Sequence, residues 1–376
     1  MKKVSILHYM PLEYYPPVTN FLNYLSGSKL FKLSVYSTYN SKNRKEYDSK
    51  RGTTIFRAKL PHKDDTVLVR LANFFKYNIN FTYKIFREKP DVLIYYESIS
   101  VLPALFYLIF KSRNKVKLVI IHHEYFSKEW YRTTAPIVVK FNHFLEKLYL
   151  YDRADSISQT NLDRSSRFAQ DNNIDLNKLF EMPNYPPSCW SDNDASFSQT
   201  ETNTIKFVYV GSLALAYSHL EKFCEWVISN KYDVLFDIYS FNIERSTKEY
   251  LESLGSDRIH LFTEGIDYED LPKMLREYDV GLILYNAVTD NYKYNAPNKL
   301  FEYLACGLDI WFSKDLITSR NYVTEGFYPQ VIQIDFENLI KESLETLKRK
   351  PNFKYQKSKF YCENIYKSVV EQRIMG

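Results

Sequence analysis

Short apolar runs recur along the chain, and between several of them lie stretches whose apolar residues repeat with a helical period. VSILHYM (4–10), FKLSVYST (31–38), DVLIYYE (91–97), VKLVIIHHE (116–124) and ADSISQT (154–160) predict buried strands. Residues 67–87 and 136–151 are amphipathic and predict helices. Strands that alternate with helices imply a parallel sheet with crossover helices on both faces. The pattern breaks at MPNYPPSCWSDNDASFSQTETN (182–203), where prolines and small polar residues predict a linker. It restarts with IKFVYVGS (205–212), DVLFDIYS (233–240), IHLFTEG (259–265), DVGLILYN (279–286) and LDIWFS (308–313).

The expectation is an α/β protein of two Rossmann-like, doubly wound parallel-sheet domains that face a central cleft. Residues 1–185 form the first, 186–204 the linker and 205–350 the second. The aromatic, basic segment 351–376 predicts a terminal helix, packed on its own domain or crossing back to the first. A length of 376 residues agrees with two domains better than with one core. In such sheets ligands sit beyond the carboxyl ends of the strands, so the cleft is the expected active site.

Charge sharpens this division. Residues 1–190 carry 29 Lys and Arg against 17 Asp and Glu, whereas 191–376 carry 21 against 28. A basic first half attracts anionic headgroups or phosphate-bearing substrates. Nucleic acid is not the expected partner, because no aromatic-basic recognition module appears. The cysteines Cys189, Cys224, Cys306 and Cys362 are far apart and read as reduced thiols. The most apolar run, 101–110, is about half the length of a bilayer span and predicts a buried helix. Met1-Lys2-Lys3 leads straight into a strand-like run, so no leader is expected. Together these features predict a cytoplasmic protein, with the inner face of the plasma membrane as a surface for its basic half.

The stretch YNAPNKLFEYLACG (294–307) carries the most chemistry. On a helical projection Leu300, Phe301, Leu304 and Ala305 form an apolar stripe, with Asn298, Lys299, Glu302 and Tyr303 opposite. Asn295 is the expected N-cap, Pro297 suits the first turn and Gly307 the exit. Backbone N–H groups at the start, with Lys299 nearby, would suit a phosphate, and Glu302 would accept from a vicinal diol. A surface helix with an ion pair between Lys299 and Glu302 explains the same residues equally well.

NAPNKLFEYLACG after the strand DVGLILYN resembles the nucleotide-sugar motif of family 4 type glycosyltransferases, which have the GT-B fold. The resemblance extends to GIDYEDLPKMLREYDVGLILY, FVYVGSL and LYDRADSISQTN followed by LFEMPNYP, and so to nearly the whole chain. It implies that Glu302 binds the donor ribose. Gly211, Ser212, Tyr294, Asn295, Pro297, Asn298, Lys299 and Leu300 would complete the donor site, with the helix start and Lys299 meeting the pyrophosphate. Three departures stand out. Tyr294 occupies a position that often holds an acid touching the donor sugar. SLALAYSHLEK lacks the usual Arg and Lys, leaving the diphosphate to Lys299, with Lys222 a weaker candidate. HYMPLEYYPPVT replaces a Gly-rich loop, and its Tyr14 and Tyr15 could form an acceptor surface.

His122, His123 and Glu124 follow a strand and should emerge at its carboxyl end. Adjacent residues point in different directions and make a poor chelate, so no metal is expected. By the resemblance a histidine here orients the donor sugar, with His123 paired to Glu124 favoured over His122. Glu97, at the end of its own strand, is a candidate for acceptor contact.

The function implied is a retaining, metal-independent hexosyltransferase. It would move a sugar from a nucleotide sugar, UDP- or GDP-linked, to a glycan or polyprenyl-diphosphate-linked acceptor in surface polysaccharide biosynthesis. No cofactor is required. The alternatives are an epimerase or hydrolase of the nucleotide sugar, and a degenerate, non-catalytic partner of another transferase.

Overall fold

The computed structural model describes residues 1–39, 44–48, 52–61, 64–111, 115–191, 204–339, 344 and 354–376. Contacts divide the chain into two units, Met1–Asn184 with Cys362–Gly376, and Tyr185–Tyr361. Most of the expected linker, at 192–203, lies outside the described residues, as do 340–343 and 345–353 around the expected boundary at 350.

The first unit is built on seven parallel strands: β1 (Lys2–Leu7), β2 (Phe31–Thr38), β3 (Thr53–Ala58), β4 (Val92–Tyr96), β5 (Lys117–Ile121), β6 (Ser156–Gln159) and β7 (Leu179–Glu181). Their order is β3-β2-β1-β4-β5-β6-β7. The second unit repeats the scheme with β8 (Ile205–Val210), β9 (Val234–Tyr239), β10 (Ile259–Phe262), β11 (Val280–Ile283) and β12 (Asp309–Ser313). After a short β13 (Phe327–Tyr328) comes β14 (Val331–Ile334), and the six-stranded order is β10-β9-β8-β11-β12-β14. A separate pair joins β13 to β15 (Lys354–Tyr355).

Central strands β4, β11 and β12 are buried along their whole length, as sheets covered on both faces require. All ten expected strands are present. Those not anticipated, β3, β7, β13, β14 and β15, are edge strands or strands of only two residues, where the alternating pattern is weak or too short to read. Each sheet reverses its winding once, between β1 and β4 and between β8 and β11, and the crevice for a ligand opens at such a point.

Helix Val67–Glu88 is capped by the Thr66 side chain and ends at Lys89, which is left-handed at φ 51° before Pro90. Helix Val101–Ile109 corrects the expectation of a wholly buried segment, because Phe106, Ile109 and the following Phe110 are exposed. Among the described residues no helix is long and apolar enough to cross a membrane. The terminal helix, Cys362–Val369, belongs to the first unit: the Tyr366 hydroxyl donates to the Pro17 carbonyl at 3.1 Å and its ring packs on Phe21.

Candidate functional site

In the second unit, three elements meet at the carboxyl ends of β8 and β11. β8 runs into Gly211, whose φ of +119° is rarely adopted by residues with a side chain. A Cβ there would stand 3.1 Å from Cε and 3.3 Å from Nζ of Lys299. The bare backbone of Gly211 is thus what lets the lysine lie against the turn. The ammonium donates to the hydroxyls of Tyr209 at 3.0 Å and Tyr285 at 2.9 Å, and sits over both rings, 4.1 and 4.6 Å from their centres. Two of its three N–H groups are so engaged, and the charge is steadied by two π faces.

Lys299 belongs to helix Asn298–Cys306, which corrects several expectations. Pro297, not Asn295, occupies the N-cap position, and no side chain caps the helix there. Gly307 ends it in the left-handed region at φ 81°. The face expected to meet water is buried: Lys299 is 8% exposed, Glu302 7% and Tyr303 1%. Tyr303 reaches between β8 and β11, where its hydroxyl accepts the Val210 N–H at 3.2 Å. Its ring fills the space that a side chain on Gly281 would occupy. The expected surface ion pair is absent, because the Lys299 ammonium is held by tyrosines.

Glu302 makes no hydrogen bond among the described residues. Burial pushes its carboxyl up to about 7, against the pull of Lys299. Among the described residues, an ammonium with a free N–H and an unpartnered carboxyl one turn along the helix therefore sit at this crevice.

The other candidates spread around it. The Ser212 hydroxyl accepts from Asn242 at 3.3 Å, and its carbonyl accepts from Tyr209 at 2.7 Å. The Asn295 carbonyl accepts from Ser319 at 2.9 Å. Tyr294 is buried, and Leu300 and Pro297 are buried with it. Asn298 opens the helix half-buried. Lys222 pairs with Glu225 on an exposed helix face and takes no part here.

The first unit gathers a different chemistry at the carboxyl ends of β1, β4 and β5. Glu97 follows β4 at φ 57° and ψ 153°, a conformation close to glycine-only territory. Its Oε1 accepts the His123 N–H at 2.6 Å and the Glu124 N–H at 3.3 Å, and its Oε2 accepts from His122 Nδ1 at 3.3 Å. Both oxygens of this residue thus hold the strand end that carries the histidines. Burial, the largest influence on each, disfavours charge on either partner, but their hydrogen bond and the neighbouring charges together outweigh it, raising the His122 pKa and lowering that of Glu97.

His123 is not paired with Glu124. Its Nδ1 donates to Asn184 Oδ1 at 3.0 Å, and its ring stacks on Tyr96 at 5.2 Å. Burial lowers its pKa and favours the neutral ring. Glu124 is exposed and lies 3.9 Å from Arg164, which is buried and donates to the His123 carbonyl at 2.9 Å. His8, absent from the sequence reading, completes the cluster. Its ring meets those of Tyr15 at 4.7 Å and Tyr96 at 5.5 Å, its Nδ1 donates to the Met10 carbonyl, and burial brings its pKa down to about 4. Tyr14 is half-buried, with Arg44 over its ring at 5.0 Å. Among the described residues no group of three or more His, Cys, Asp or Glu could hold a metal.

His8 directly follows β1 in the sequence, a position that could have revealed it. Tyr209 and Tyr285 were hidden among 33 tyrosines.

No family model and no curated protein matches the chain. Solved structures do. Sucrose-phosphate synthase from Thermosynechococcus elongatus matches with a TM-score of 0.69 at 11% identity, over 99% of this chain and 95% of that one. HepE from Anabaena, in complex with UDP and glucose, matches at 0.59 and 10% identity over 99% and 95%. The chain has the GT-B fold. UDP-GlcNAc 2-epimerase from Neisseria meningitidis, bound to UDP-GlcNAc, shares it at a TM-score of 0.60 and 10% identity over all of both chains. At such identities the likeness extends to the GT-B fold alone.

Proposed function

We propose that this GT-B protein is a retaining, metal-independent glycosyltransferase. It takes a sugar from a nucleotide donor, UDP- or GDP-linked, and transfers it to a glycan or polyprenyl-diphosphate-linked acceptor in surface polysaccharide biosynthesis. One observation carries the reading: a buried ammonium with a free N–H beside an unpartnered buried carboxyl, at the crevice between β8 and β11. Lys299 meets the diphosphate and stabilises the charge that develops as it leaves. Glu302, once ionised, accepts from the ribose hydroxyls. Gly211 gives both ligand and lysine close access to the backbone.

In the first unit, neutral His123 orients the sugar while Glu97 positions the strand end behind it. Tyr15 and Tyr14 meet the acceptor. The basic half faces an anionic membrane from the cytoplasm.

Calorimetric titration with UDP-, GDP-, ADP- and TDP-sugars tests the donor site. Binding of one of these, lost in Lys299→Ala and Glu302→Ala, supports it. Unchanged affinity in both variants removes it. A UDP-GlcNAc 2-epimerase among the structures that share the fold keeps a second reading open. Conversion of the sugar by the protein without any acceptor would select that one.

A further inference from the structure

The first sheet carries polar residues where a two-sided parallel sheet is usually apolar. Lys3 and Ser5 of β1 stand in register with Lys32 and Ser34 of β2. All four share one face, because alternate residues of a strand point the same way. The opposite face is ordinary, with Val4, Ile6, Leu33 and Val35 buried. Lys84, Arg87 and Glu88, from the last turns of helix Val67–Glu88, close over the polar face and complete a pocket of about 370 Å³.

Four cations and one carboxylate line this pocket, together with the buried hydroxyls of Ser5 and Ser34. The single carboxylate, Glu88, already accepts from the Tyr36 hydroxyl at 2.9 Å. Among the described residues the Lys3 ammonium donates only to the Glu88 carbonyl, at 3.3 Å, and Lys84 rests on the Phe56 ring at 3.9 Å. Lys3 and Lys32 are register partners on neighbouring parallel strands, and like charges so close repel. An anion between them would relieve the repulsion.

The same helix has a second unusual feature. Leu68, Phe75, Ile79 and Tyr83 are all exposed, and their spacing places them on one stripe. The stripe runs toward Arg87, whose guanidinium lies 5.9 Å from the Tyr83 ring. Helix Val101–Ile109 packs alongside, with Tyr107 against Phe86 at 5.1 Å, and adds exposed Phe106 and Ile109. Within Val67–Glu88 the charged residues are Arg70, Lys76, Lys84, Arg87 and, as the only acid, Glu88.

We propose that this pocket binds the phosphate of an anionic lipid headgroup, while the exposed stripe beside it lies in the bilayer interface. A cationic pocket continuous with an apolar helix face is the pairing that a charged membrane surface recognises, whereas a free phosphate would need no stripe. The site lies toward the start of β1 and β2, apart from the histidine cluster at the carboxyl ends of β1, β4 and β5. It deepens the membrane part of the proposed function and does not depend on the transfer chemistry.

Flotation of the full chain with vesicles tests the assignment, using phosphatidylcholine alone and an equimolar mixture with phosphatidylglycerol. The protein is expected to float with the mixed vesicles only. Lys84→Gln with Arg87→Gln should lower partitioning by about tenfold or more, from about 1 kcal/mol per cation near the surface. Arg70→Gln with Lys76→Gln removes the same charge from the same helix outside the pocket, and should cost much less. Equal losses in the two pairs would overturn the pocket in favour of diffuse charge. Lys32→Gln, outside the helix, should cost about fivefold, the share of one cation, without altering the helix. Calorimetric binding of inorganic phosphate without flotation would mark a free-anion site and overturn the lipid assignment. Donor titration of the same variants separates the two proposals: flotation lost with donor binding intact is expected, and donor binding is read from the other unit.

Discussion

At the scale of single residues, Lys299, Glu302 and Gly211 form one device. The lysine is close enough to Gly211 that a methyl group would push it by a few tenths of an ångström, and the φ of +119° strains any side chain there. Gly211→Ala should therefore lower stability by about 1–3 kcal/mol through the strained φ. It should also weaken donor binding, as seen by thermal melts and calorimetry on the same sample. Glu302→Ala removes a charge-assisted acceptor worth about 1.5–3 kcal/mol, or roughly 10–100-fold in donor affinity.

The protonation of Glu302 gives a sharper test. Its folded carboxyl titrates near 7, against 4.5 as the ordinary value. A raised acid contributes stability that is present below the unfolded pKa and lost as pH rises through the folded one. Ionising the buried group thus costs about 3 kcal/mol by the upper end of that window. Glu302→Gln should melt above the native protein at about pH 8 and alongside it at about pH 4. Because ribose hydroxyls donate to the ionised form, donor affinity should fall as pH drops below about 7, and binding should release a proton. Calorimetry in buffers of different ionisation heat reads that proton directly.

At the scale of elements, the ends of β4 and β5 are tied to each other through Glu97. The backbone strain at this residue is held in place by the bonds its carboxylate makes to His122, His123 and Glu124. His122, with a raised pKa, contributes stability below about 6.5 that is lost as pH rises through its folded value. Glu97, with a lowered one, contributes above about 4.5 and loses it as pH falls through its folded value. The pair is at full strength between these limits. Glu97→Gln should be most destabilising there, in melts taken across pH. Glu97→Gly should recover part of the loss, because glycine accepts this φ at no steric cost.

At the scale of the whole molecule, the terminal segment belongs to the first unit. Tyr366, Val369, Val370 and Ile374 are buried there, and Lys2 donates to the Met375 carbonyl at 2.9 Å. Each large apolar side chain contributes about 1.5–3 kcal/mol on burial. Truncation after Tyr361 should therefore lower the melting of the first unit by many degrees and leave that of the second unit near its native value. Calorimetric scanning resolves the two transitions, and a shift of both together would contradict this division.

The sequence by itself determined the strands and helices of both sheets wherever burial on two faces demanded a continuous apolar run, as in DVLIYYE and DVGLILYN. Edge strands such as β3 have one side in water, so their pattern fades and only pairing reveals them. Polar residues at the helix start were legible as a set, and Gly211 could be named beside Lys299. Their meeting was decided by tertiary structure, because residues 211 and 299 come together only through strand order. The same holds for the partners: Tyr209, Tyr285, His8 and Asn184 are ordinary in their local sequence. Only packing showed that the polar face of helix Asn298–Cys306 lies inside, where burial changes the protonation of Glu302. Local periodicity tells which faces of an element differ. Which face is dry depends on what folds over it.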